Sequence, residues 1–113
     1  MITIYHNGHC SKSQGALELL QKEGIPHTVR WYLADLLTTE ELEALLDKLG
    51  MSASELVRRN EPYYMEQLAD KDFSEAEWLE ILTTHPELIE RPIVVKGDKA
   101  LIARPAERLH EIL

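Results

Sequence analysis

The chain has 113 residues, 44% of them hydrophobic and 28% charged, which suits one globular domain with a core of its own. Its 20 acidic and 12 basic residues give a net charge of −8, which opposes non-specific binding to nucleic acid or an anionic membrane. A single cysteine excludes an internal disulfide framework and a four-cysteine zinc site. With no leader-like or membrane-spanning apolar segment, a reducing cytosolic setting is expected.

Ile2–Tyr5 reads as a first strand, because it is short and rich in β-formers. The loop His6-Asn7-Gly8-His9 follows, and Cys10 stands just before a good helix former running from about Ser11 to Glu23. Gly24 is placed to stop that helix, and Pro26 breaks the chain. His27–Tyr32 reads as a second strand, and the β-α-β unit has the length of a parallel crossover.

The middle of the chain reads as helical. Thr38 with Glu41, Ser52 with Glu55 and Ser74 with Glu77 each have capping-box spacing. Leu42, Leu45, Leu46 and Leu49 fall on one helical face. The second of these helices is expected to extend to about Arg59, and Pro62 to open a further one across Tyr63–Leu68. Trp78, Ile81, Leu82 and Trp31 are expected in the core. His27, His85 and His110 have no metal-ligand spacing, so no metal site is expected.

Strand character returns at Pro92–Lys96 and Lys99–Ala103, around Gly97-Asp98. A two-residue loop led by glycine predicts a type II′ hairpin. Pro105 suits the first turn of a last helix, Ala106–Ile112. The expected fold is α/β and thioredoxin-like: three layers, a mixed four-stranded sheet, and a helical insertion at about 36–88 within a single domain, 1–113.

Chemistry concentrates at two places. A thiol at a helix start meets unpaired N–H groups and the positive end of the helix dipole, which favour a thiolate and an anion beside it. The hairpin register places Arg91 opposite Arg104 at the open end of the two strands. Two guanidinium groups held there suit an oxyanion, although each arginine taken alone would sooner pair with a surface glutamate such as Glu90 or Glu107. In a thioredoxin-like sheet that end lies beside Cys10. Ser11 and Ser13 are ordinary helix-start residues that could also donate to an oxyanion.

Four segments carry a resemblance: Ile4-Tyr5-His6-Asn7 with Cys10-Ser11-Lys12-Ser13; Leu56-Val57-Arg58-Arg59-Asn60; Glu90-Arg91-Pro92-Ile93-Val94-Val95; and Ala103-Arg104-Pro105. In this order the chain resembles the glutaredoxin-coupled arsenate reductase family. The resemblance implies that Cys10 is the nucleophile, with His6 favouring its thiolate. It implies that Arg58, Arg91 and Arg104 bind the oxyanion, Arg58 from an inserted helix, and that Arg91-Pro92 is a cis peptide. It further implies arsenate as substrate, glutathione as co-substrate and glutaredoxin as the partner that resolves a Cys10–glutathione disulfide; a monomer with no bound cofactor is expected.

A lone cysteine fits this route, since the chain has no resolving thiol. Two alternatives stay open: a glutathione-linked thiol oxidoreductase with another substrate, and an Spx-type regulator of RNA polymerase. The latter usually carries a Cys-x-x-Cys switch, and here Ser13 stands at its second position. Members of the reductase family commonly have proline where Gly8 stands and arginine where Gln14 stands.

Overall fold

A computed structural model describes residues 2–7 and 10–113. The calls on Gly8 and His9 lie outside the described residues. The chain forms two compact units, one made of Met1–Asp35 with Arg91–Leu113, the other of Leu36–Glu90.

The first unit is built on a four-stranded sheet of order β2-β1-β3-β4, with β1 at Ile2–Tyr5, β2 at His27–Arg30, β3 at Ile93–Lys96 and β4 at Lys99–Ile102. β1 runs parallel to β2 and antiparallel to β3. Tyr5 pairs with Ile93, so the chain enters β3 where it leaves β1. Helix α1, Ser11–Lys22, ends in the expected way: Gly24 has a φ of 66°, its N–H reaches the Gln21 carbonyl, and the Ile25 N–H reaches that of Leu20. Ala16 and Leu20 of α1 meet Ile2, Ile4, Val94 and Leu101 of the sheet, and Leu109 and Ile112 close the same core.

The β3–β4 hairpin has the expected register, with Val94 opposite Leu101 and Lys96 opposite Lys99. Gly97 has a φ of 62° and no described non-glycine residue has a positive φ, the sign pattern of a II′ rather than a I′ turn. The strand pairing continues one step beyond the ladder, where the Ala103 N–H donates to the Pro92 carbonyl. The Arg104 N–H turns back to the Ile102 carbonyl instead. The peptides Arg91–Pro92 and Arg104–Pro105 are both cis.

Several local expectations change. β2 stops at Arg30, because the chain turns back through Trp31, whose carbonyl accepts from the N–H groups of Ala34 and Asp35. Trp31 is therefore 51% exposed and not a core residue. The last helix is a 3₁₀ segment, Ala106–Glu111, with Pro105 as its N-cap.

In the second unit, α2 spans Thr39–Leu49 and α3 spans Glu75–Thr84, and both start in the complete capping boxes read from the sequence. Leu42, Leu45 and Leu46 are buried, and Leu49 is only half-buried. α3 packs on α2 and on the short Ala53–Leu56 segment, with Phe73 edge-on to Trp78. The Ser52–Glu55 box is also formed, but it opens one 3₁₀ turn that stops at Leu56. Val57 leaves the helix to bridge Ile89, held by hydrogen bonds from the Arg58 N–H to Leu88 and from the Glu90 N–H to Leu56. Pairing with a distant segment overrides the local helical preference there. The helix after Pro62 contains a π-helical stretch, Tyr64–Leu68. Among the described residues, no helix is long and apolar enough to cross a membrane, and no cluster of metal-ligating side chains occurs.

Candidate active site

The site is assembled from the end of β1, the start of α1 and the entry to β3. Cys10 is the N-cap of α1, with φ −109° and ψ 121°. Its N–H donates to the Asn7 carbonyl and its own carbonyl accepts the first helical bond, from Gln14. The thiol is free and 8% exposed. No conventional cap hydrogen bond closes on this side chain. The N–H groups of Ser13 and Lys12 nevertheless act on the sulfur and favour its anionic form.

Burial opposes ionisation of Cys10. Against it work the Ser13 N–H, the charge of Arg91, the Lys12 N–H and a hydrogen bond from the Arg91 guanidinium, and together they hold the thiol below its ordinary pKa of 9.0. Because the folded value is depressed, the thiolate stabilises the fold above the ordinary value, and that contribution is lost as pH falls through the lowered one. The expected outcome is that iodoacetamide alkylation of Cys10 has its pH midpoint below that of a peptide carrying the same loop sequence. Equal midpoints would remove the activation argument.

Arg91 is the second centre. Only 8% of it is exposed, and its Nε and Nη1 have no hydrogen-bond partner among the described residues. Buried polar groups are normally hydrogen-bonded, so open donors on a buried guanidinium call for a partner such as water or an anion. The pairing of β1 with β3 brings it to Cys10, across 81 positions of sequence (91 − 10). Arg104 is half-buried and follows the Pro92–Ala103 pair, so its backbone lies at the same end of the hairpin as that of Arg91.

Arg58 belongs to the other unit. It sits on the extended segment after Leu56, not on a helix as expected, because the Val57–Ile89 bridge straightens the chain there. Its Nη1 is 2.7 Å from a Glu61 carboxylate oxygen, and its Nε has no partner among the described residues.

His6 is 1% exposed. Its Nδ1 lies 2.6 Å from the Ser13 Oγ, which also accepts the Asn7 N–H at 3.0 Å. The Trp31 ring stands against the imidazole, at 4.8 Å and 75°. Burial pushes the His6 pKa down, favouring the neutral ring. Ser13 is fully buried, and its hydroxyl meets His6 and the Asn7 N–H. Ser11 is exposed. The Lys12 N–H is one of the helix-start groups expected to meet the thiol, whereas Asn7, whose carbonyl accepts the Cys10 N–H, is not among the residues expected in the site. Both contacts are made by main-chain groups.

The chain has relatives along nearly its whole length. An arsenate reductase of Haemophilus influenzae is 42% identical over 99% of this chain and 98% of its own length. One from Escherichia coli is 40% identical over 99% of this chain and 80% of its own. The solved structure of an arsenate reductase from Vibrio cholerae superposes with a TM-score of 0.92 at 40% identity, covering 99% of this chain and 97% of that one. Its likeness makes the fold that of the arsenate reductases, α/β and thioredoxin-like. The family match extends over residues 5–112, and the chain belongs to the ArsC family.

Proposed function

We propose that this protein reduces arsenate to arsenite with Cys10 as nucleophile and glutathione and glutaredoxin as the source of electrons. The observation that carries the reading is the buried Arg91 guanidinium, with two nitrogens open, beside a thiol whose ionisation it favours. Family membership and the names of the relatives support the choice of oxyanion. Arg91 holds the arsenate oxygens, with Arg104 and Arg58 as the further cations that the resemblance supplies. The Cys10 thiolate attacks arsenic, an S–As bond forms, and one oxygen leaves as water after protonation. A glutathione thiol then joins the Cys10 sulfur in a disulfide. Each sulfur gives up one electron, and arsenic leaves reduced from the +5 to the +3 state. Glutaredoxin, also a thiol, takes the glutathione and frees Cys10.

The test is a coupled assay with glutathione, glutaredoxin, glutathione reductase and NADPH. NADPH oxidation should depend on arsenate and saturate with it. Activity on a glutathionylated thiol substrate that is indifferent to arsenate would replace this reading with a general thiol oxidoreductase.

A further inference from the structure

The clamp of His6, Ser13 and Asn7 fixes where the protons lie. A serine hydroxyl has one proton and two lone pairs. The Ser13 Oγ accepts the Asn7 N–H at 3.0 Å and has His6 Nδ1 at 2.6 Å. If Nδ1 carried the proton, Oγ would accept twice. Its own proton would then need an acceptor around a fully buried residue, and none is present among the described partners. If the hydroxyl donates to Nδ1, Oγ gives one bond and takes one. The ring proton then lies on Nε2, a buried atom with no partner among the described residues.

An imidazolium would need both nitrogens to donate, leaving a charge at 1% exposure. The groups seen against the ring are the Ser13 hydroxyl on α1 and the uncharged Trp31 indole after β2. The backbone N–H of His6 donates to the Arg30 carbonyl, and the Arg30 side chain is turned to Asp35. Cys10 and Arg91 are the charged groups of the same site, yet burial is what governs the ionisation of His6.

We propose that His6 is a neutral positioning residue: protonated on Nε2, it accepts the Ser13 hydroxyl hydrogen bond at Nδ1 and thereby fixes the first turn of α1 against the end of β1. The Ser13 and Lys12 N–H groups are then held toward the Cys10 sulfur, which their loop would otherwise have to find by chance. His6 thus acts on the thiolate through geometry and not as a cation. This rests on reading Cys10 as the nucleophile. It needs no arsenate, so it can fail or stand separately from the arsenate assignment.

Three readouts decide it. In ¹⁵N-labelled protein, His6 should show an unprotonated Nδ1 and a protonated Nε2 from about pH 5.5 to 8, although a free imidazole titrates near about 6.5. Ser13→Ala should move the alkylation midpoint of Cys10 upward, leaving about three- to tenfold less thiolate at a fixed pH below that midpoint. His6→Asn should restore most of what His6→Phe loses, because the asparagine Oδ1 can accept from Ser13 without ever being charged. Circular dichroism identifies a variant that does not fold, and the NMR signature of the unaltered protein decides even then. A charged His6 that titrates together with Cys10, a silent Ser13→Ala, or a His6→Asn as impaired as His6→Phe would overturn the proposal.

Discussion

Cys10→Ser is expected to bring arsenate-dependent NADPH oxidation down to the background rate, a loss of at least about 10³-fold, since removing a nucleophile abolishes the covalent route it serves. Serine keeps the shape of the side chain, and Cys10 is already 8% exposed at an N-cap, a position serine favours, so the fold should survive. The serine hydroxyl is not ionised near neutral pH, and the N–H groups and Arg91 that favour a thiolate act on a far weaker acid there. With one cysteine in the chain, no second thiol can substitute. Intact-mass measurement after arsenate and glutathione should show one glutathione on the unaltered protein and none on the variant. Turnover in Cys10→Ser at a tenth of the normal rate or more would end the nucleophile assignment.

Arg91→Ala should be the next most damaging change, because Arg91 acts on both reactants. It removes the buried guanidinium with open donors, so the KM for arsenate should rise. It also removes the charge and the hydrogen bond that favour the thiolate, so the alkylation midpoint of Cys10 should move up. Together these give an expected drop in kcat/KM of about 10²–10³-fold, the usual scale for losing a positioned oxyanion donor. Arg91→Lys separates the two effects. It restores a charge but not the planar fork, so it should recover the Cys10 midpoint more fully than the KM. An alkylation midpoint unchanged in Arg91→Ala would show that the two groups are not coupled.

Much of this was legible in the sequence. The three capping boxes and the glycine stops are local devices, in which a side chain or a backbone angle acts within a few residues. Each formed where its residues stand. The hairpin register followed from the glycine-led turn, and with the sheet order it carried Arg91 to Cys10. The misses share one cause, a distant partner. Nothing near Arg58 signals that Val57 will bridge Ile89 and end the helix early. Trp31 has the composition of a core residue, but a turn back to its own carbonyl leaves it at the surface. The Ser13 hydroxyl looked free for a ligand until His6 and Asn7 were found on it. Spacing along a chain does not show which of two possible acceptors a buried hydroxyl meets.

The division of the chain at Asp35 and Arg91 has an evolutionary consequence. Cys10, His6, Ser13 and Arg91 all belong to one unit, and the contact of thiol with guanidinium depends on the pairing of Tyr5 with Ile93. The 55 residues from Leu36 to Glu90 (90 − 36 + 1) form a continuous stretch that can be rewritten as a cassette without touching that pairing. Lengthening such a stretch is also mild in its effect on stability, because closure entropy grows only with the logarithm of loop length. Arg58 travels with the cassette. Changes confined to this stretch therefore leave the strand pairing that joins Arg91 to Cys10 unaltered.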